Sequence, residues 1–296
     1  MYIIAAILIF GVLIAVLAVA ITVLTGALSA SLAMLGDTAD SAMLYINRTD
    51  GSWPAATGIS EPLQIEPLAG GFVELGAEDV VVYSAYGAKI LSLQPSYARP
   101  VLAVGGTHFA VYNRAGTELT ICSRTRTLYS QSFDAGILLC AMSNNNTLAV
   151  VTEDPGSAAR LQIYSSSMEE QLSWSLTTTD GTPLRMAFSP DGRRLAVAAV
   201  TVSGGQMVTN FYIVTLAQGD PVLVGSGSGA AQWLSWTGSQ SILAVCDSRA
   251  VLYNASGGER AAYDFTGQTL RDISVDASGN TALLLASGQL CQAVML

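Results

Sequence analysis

The feature that most constrains this chain is a tight turn that returns at a near-constant spacing. After Gly71, short runs of Val, Ile, Leu and Tyr are separated by Gly, Asn, Asp or Ser, as in Asp79-Val-Val-Val-Tyr-Ser84, Thr147-Leu-Ala-Val-Val151 and Ser241-Ile-Leu-Ala-Val245. Runs of this composition bounded by turn residues read as strands. The turn between the leading strands of each unit falls near Gly76, Gly106, Asn145, Gly192, Gly238 and Gly279. The last four intervals are 39, 47, 46 and 41 residues. No stretch after Gly71 carries an apolar stripe of helical period over three turns, so the body reads as all-β.

A hairpin or a lone four-stranded sheet cannot cover both of its faces. Arranged radially, each twisted sheet covers its neighbour, and a period of 40–45 residues is that of four-stranded propeller blades. The chain is therefore expected to form a β-propeller of six blades, or seven, over residues 72–296. A β-sandwich gives no reason for the period. The first interval is only 30 residues, which predicts a first blade short of an outer strand. The last unit, from Leu270, has residues for about three strands, so Pro62-Leu-Gln-Ile-Glu66 is expected to complete it and close the ring.

The clearest unit is Pro183 to Leu216. Pro190 presets φ for its turn, and Asp191-Gly192 supplies residues that tolerate positive φ. Phe188-Ser-Pro-Asp-Gly-Arg-Arg-Leu-Ala-Val-Ala198 resembles the WD40-like propeller repeat of bacterial envelope proteins. With Tyr212 in its third strand and Gly204-Gly205 in its central loop, the layout is similar to a bacterial family of single-span membrane proteins described as a domain of unknown function. The resemblance covers roughly Phe72 to Leu285. It implies one N-terminal span, a linker and a propeller, and no activity or catalytic residue.

Met1 to Leu35 contains no charged side chain, and 29 of its 35 residues are hydrophobic. Ile3 to Leu24 supplies 22 residues, fifteen of them Ile, Leu, Val or Phe. At the bilayer centre these favour insertion by about 4–9 kcal/mol, and the length suffices to cross. Residues 1–35 are therefore expected to be a transmembrane anchor with its core at residues 3–24. A cleaved signal peptide fits less well, because no basic residue precedes the run and the run exceeds 7–15 residues. The acidic exit past the span, with Asp37, Asp40 and Asp50 against Arg48, favours the N-terminus inside and the body outside a cell membrane. Residues 36–71 hold three of the nine prolines and no sustained period, and read as a linker.

Removing the span leaves about 13% charged residues in the body, against about a quarter in an ordinary domain. Blades covered on both faces account for that deficit. The net charge of -9 argues against a nucleic-acid partner, which requires a basic face.

Searching for chemistry yields no catalytic, cofactor-binding or metal-binding residue to nominate. The lone histidine, His108, has no sequence-adjacent nucleophile. The stretch Gly225-Ser-Gly-Ser-Gly229 has Gly227 where a nucleophile elbow needs serine, and reads as a flexible loop between blades. Cys122, Cys140, Cys246 and Cys291 lack metal spacing and fall in expected strands, where cysteine packs as a small apolar residue; with the body outside, a Cys122–Cys140 pair across adjacent blades is the alternative. Trp233 and Trp236 flank an inner strand and read as core. The leading expectation is a membrane-tethered, non-enzymatic propeller that binds an envelope protein or polymer. The alternatives are an envelope hydrolase or lyase using channel carboxylates, and a sensor subunit read through the span.

Overall fold

The structure, a computed structural model, describes residues 36–39, 51, 54, 56–276 and 279–296. The span expected at residues 3–24 lies outside the described residues. Among those that are described, no helix is long and apolar enough to cross a membrane.

Six antiparallel sheets follow one another along the chain, each a simple meander, and five have four strands while the last has three. The first blade is β1 (Gln64–Leu68), β2 (Gly71–Leu75), β3 (Val80–Ser84) and β4 (Lys89–Leu93). The second is β5 (Pro100–Val104), β6 (His108–Asn113), β7 (Glu118–Ser123) and β8 (Thr127–Ser132). The third is β9 (Ile137–Met142), β10 (Leu148–Thr152), β11 (Ala159–Tyr164) and β12 (Glu170–Leu176). The fourth is β13 (Thr182–Phe188), β14 (Arg194–Ser203), β15 (Gln206–Thr215) and β16 (Pro221–Ser228). The fifth is β17 (Trp233–Trp236), β18 (Ser241–Val245), β19 (Arg249–Asn254) and β20 (Glu259–Asp264). The sixth is β21 (Thr269–Val275), β22 (Thr281–Ser287) and β23 (Leu290–Met295).

The apolar runs are the middle strands, and both faces of each are covered. On β10 every residue is buried: Leu148 and Val150 pack toward the second blade, Ala149 and Val151 toward the fourth. β18 does the same between the fourth and sixth blades. This is why these strands show no polar alternation. Each fully buried Val, Leu or Ile side chain contributes about 1.5–3 kcal/mol of apolar transfer energy, spread over five separate inter-blade cores rather than one.

The repeated turns do more than reverse the chain. From the first blade to the fifth, the turns of successive blades touch and make a belt along one face. Ala69 N–H donates to the Gly106 carbonyl at 3.3 Å, between the first and second blades. Asn146 accepts from the N–H groups of Thr107 and His108 at 3.1 Å and donates to the Thr107 hydroxyl at 2.8 Å. The Asn144 amide reaches the Pro190 carbonyl, and the Arg194 guanidinium reaches the Ser239 carbonyl while lying 4.9 Å over the Trp236 ring. The Trp236 indole in turn donates to the Ala187 carbonyl. Trp236 is core, and Trp233 is packed against the next core at partial exposure.

Several expectations are corrected. Pro62–Glu66 does not complete the last blade: Gln64–Leu68 pairs with Gly71–Leu75 and opens the first one. A two-residue turn at Ala69-Gly70, with Gly70 at φ 77°, makes that hairpin local, whereas closure onto the last blade would need a contact across the whole domain. The first blade therefore keeps four strands, and the turn at Gly76 joins its second strand to its third. The linker gives way to the propeller at Gln64 rather than at residue 72. Gly225-Ser-Gly-Ser-Gly229 is not a loop, since all but its last residue belong to β16. Cys122 and Cys140 do not pair; all four cysteines are free, and these two face different cores on opposite sides of the second blade.

Candidate functional site

One element departs from the repeat. β14 and β15 are ten residues each, where the middle strands of the other complete blades have five or six. They pair continuously from Arg194↔Thr215 to Ser203↔Gln206. The closing turn is Gly204-Gly205, at φ 59° and 76°, the double positive φ of a two-residue hairpin that matches strand twist. The outer ends of the two strands form an arm. At its tip Val202 is 72% exposed and directly opposite Met207, 52% exposed. An exposed apolar cross-strand pair of this kind contributes at most about 1 kcal/mol to the hairpin and buries little of its surface.

The base of the arm is held on two sides. Asn210 donates to the carbonyls of Thr179 and Asp180 and accepts from the Ser226 hydroxyl at 3.0 Å. The Thr201 hydroxyl donates to the Thr178 carbonyl at 2.9 Å. Fully buried Thr209 donates to the Gly229 carbonyl at 2.7 Å and accepts from Ala231 N–H. The Tyr212 hydroxyl lies 3.1 Å from the Asp180 carboxylate, whose other oxygen takes the N–H and hydroxyl of Thr177. Burial, and then the Asp180 charge, push the Tyr212 phenol up to about 12. Every polar group at the root is satisfied, so the arm stands on a rigid base.

Between the arm and the Thr177–Gly181 loop lies a groove of about 750 Å³. Thr178, Thr179, Thr201, Ser203, Asn210 and Ser226 line it with hydroxyl and amide groups alongside Val202 and Val208, and no charged side chain enters it.

His108 begins β6 and is buried. Its Nε2 stands 3.7 Å from an Asp37 oxygen, and the other Asp37 oxygen accepts from the Thr125 hydroxyl at 3.0 Å. Burial lowers the His108 pKa and outweighs Asp37, which raises it. Asp37 sits in a helical turn at residues 36–39, so this contact seats the start of the linker on the second blade. Among the described residues no Ser, Thr or Cys side chain hydrogen-bonds the imidazole, and no group of three or more His, Cys, Asp or Glu is placed to hold a metal. A second groove, of about 400 Å³, carries Asp134, Glu153 and Asp154 with Arg160. Asp154 is held below the usual carboxylate range by the Ser157 hydroxyl and Gly156 N–H, a loop-capping role.

The sequence contained the signal for the arm, the Gly204-Gly205 pair inside an unbroken strand pattern. Its length and exposure follow only from where the neighbouring blades stop.

Solved structures similar to this chain include a WD40 domain and a propeller. A complex of KlAtg21 with the coiled-coil of AgAtg16 matches with a TM-score of 0.59 at 11% identity, over 79% of this chain and 84% of that one. The Pan2 WD40 domain of Neurospora crassa matches at 0.56 and 10% identity, over 78% and 74%. A protein from Lactobacillus plantarum matches at 0.56 and 13%, over 79% and 83%. At such identities the likeness concerns the fold alone. No curated protein matches the chain by sequence. A sequence family matches residues 52–220, a stretch that takes in the first three blades and the whole arm of the fourth, and the chain accordingly belongs to the family of unknown function DUF5711.

Proposed function

We propose that this protein is a membrane-tethered, non-enzymatic propeller that binds a protein partner in the cell envelope through the arm of its fourth blade. The observation that carries the reading is the arm itself: a hairpin about twice the usual length, rooted by satisfied hydrogen bonds, with Val202 and Met207 presented to solvent. A rigid scaffold that holds out an apolar tip lowers the ordering cost of association. The family match ends at residue 220, so it includes this tip and excludes the last two blades. One of the similar structures is, by its title, a complex with a coiled-coil. The tether is residues 3–24, with the N-terminus inside and the propeller outside.

The test is site-specific photocrosslinking of the full chain in intact cells. A photoreactive side chain at position 202 or 207 should give a discrete adduct, and Val202→Ser with Met207→Ser should abolish capture from either position. Equal adducts from a control position at Thr117, or none from the arm, would sink the reading. Protease added to intact cells should remove the propeller; full protection would overturn the orientation, and recovery in the soluble fraction would overturn the tether.

A further inference from the structure

The two ends of the propeller differ in what they hold. The turns Ala69-Gly70, Gly105-Gly106-Thr107 and Arg124-Thr125-Arg126 lie at the belt end of the first two blades. Linker residues are seated on these blades at that end. Asp37 accepts from the Thr125 hydroxyl at 3.0 Å and stands 3.7 Å from Nε2 of His108, the residue that opens β6. Gly36 lies against the Arg126 guanidinium, so close that an added Cβ would stand 2.9 Å from Cζ. Gly51 lies against the outer turn of the first blade, where a Cβ would stand 2.5 Å from the Tyr86 carbonyl oxygen.

The arm is at the opposite end. Gly204-Gly205 joins the ends of β14 and β15 that point away from the Asp191-Gly192 turn. Asp134, Glu153 and Asp154 share a groove at that end with one cation, Arg160. At the belt end the second blade sets Arg124 and Arg126 around Asp37, and the nearest turn of the third blade adds Glu169. The arm end is therefore the more acidic of the two in this sector.

From this placement we propose that the belt end of the second blade rests on the phospholipid headgroups of the membrane, and that the arm is thereby held out on the side away from it. This step rests on the tether assigned above and adds to it which face the tether presents. Leu35 closes the uncharged run two positions before Asp37, so the run ends within about 7 Å of a residue fixed to the blade. From Leu24 to Asp37 the chain reaches at most about 45 Å. The strands of the second blade have six residues or fewer, about 20 Å. Turning the arm end to the bilayer would lead the chain along that rim and draw Leu28, Leu32, Met34 and Leu35 through water. Turning the belt end to it leaves them at the membrane. Charge acts in the same direction, since an anionic leaflet attracts arginine and repels the carboxylates of the arm end.

The experiment uses the full chain in nanodiscs of mixed zwitterionic and anionic phospholipid, some of it carrying a nitroxide on the headgroup. In a Cys291→Ser background, a fluorophore is attached at Ser166→Cys or at Ala77→Cys. Both positions are exposed, the first in a turn at the belt end and the second in a turn at the other. Loss of fluorescence is expected at 166 and not at 77. Asp37→Ala should remove the difference between the positions, and Thr125→Val, which deletes only the hydroxyl that Asp37 accepts from, should reduce it. Replacing the anionic lipid by zwitterionic lipid should reduce the loss at 166. Equal quenching at the two positions, stronger quenching at 77, or a difference that survives Asp37→Ala unchanged would overturn the proposal. So would quenching at neither position in discs that hold the chain, the result expected if a protein partner rather than lipid covers the belt end. A chain that does not co-elute with the discs would sink the tether itself, and co-elution is measured before any quenching is read.

Discussion

Replacing Gly225 with alanine should destabilise the domain by about 1–3 kcal/mol, although the backbone there is ordinary strand and alanine is otherwise the better strand residue. An alanine Cβ at 225 would stand 2.6 Å from Cδ1 and 2.7 Å from Cζ of Tyr253, and closer still to Cε1. The ring cannot retreat cheaply. It is 3% exposed, packs against Phe211 at 5.4 Å between centroids, and its hydroxyl donates to the Ser226 carbonyl at 2.9 Å. Overpacking of this kind costs about 1–3 kcal/mol. Moving the ring instead forfeits about 1 kcal/mol for the hydrogen bond and a similar amount of aromatic contact. Opposing this, removing a glycine from a strand gains about 0.5–1 kcal/mol. The balance remains a loss, and each kcal/mol should lower the melting temperature by about 2–4 °C in a domain of this size. Urea unfolding of the full chain measures it. The decisive comparison is a double-mutant cycle: in a Tyr253→Leu background the same Gly225→Ala change should become neutral or stabilising. A Gly225→Ala protein as stable as the parent, or an equal loss in both backgrounds, would refute the idea that the glycines of β16 exist to admit that ring.

Asn146 holds φ 64° and bridges the second and third blades, so Asn146→Gly should lose only the bridge while Asn146→Ala loses the bridge and strains the turn; equal stability of the two by urea unfolding would contradict this. Burial raises the phenols of Tyr164, Tyr212 and Tyr253 to about 12, so the fold holds these protons more tightly than the unfolded chain. Their contribution is complete below pH 10 and should be lost as pH rises from about 10 to 12, seen as alkaline unfolding by circular dichroism; constant stability to pH 12 would count against it. Cys122, Cys140 and Cys246 are buried and burial raises their thiols, Cys122 to about 12 and Cys246 to about 11, whereas Cys291 is exposed. A thiol reagent should therefore modify one cysteine in the native protein and four in denaturant, and a native count above one would show that the inter-blade cores open.

The propeller was legible in the sequence because its cause is local. Pro190-Asp191-Gly192, Asn144-Asn145-Asn146 and the glycines at 238 and 279 reverse the chain by their own backbone preferences, and their spacing is the length of a blade. The apolar runs announce strands covered twice, as β10 and β18 are. Two misreadings share one origin. Gly225-Ser-Gly-Ser-Gly229 has the composition of a flexible loop, yet Tyr253 occupies the space that a side chain at 225 would need and Cys246 Sγ, with Phe211 behind it, the space at 227, so glycine is there for close approach rather than for freedom. Pro62–Glu66 has the composition of a strand, and nothing in it says which sheet receives it. A two-residue turn decided for the first blade by making that partner the near one.

The binding surfaces were less legible for a related reason. Gly204-Gly205 read only as the central loop of its blade, and whether residues 199–210 are buried by a neighbour or held out in solvent depends on how far the adjoining blades extend. Exposure is a property of what lies next to a strand in space. The sequence alone determined strands, turns, period and the apolar N-terminal run, all of which follow from short-range sterics and transfer energies. Only the tertiary arrangement decided which sheet receives Gln64–Leu68 and which apolar side chains no neighbour covers, because those are set by contacts in space that no single segment encodes.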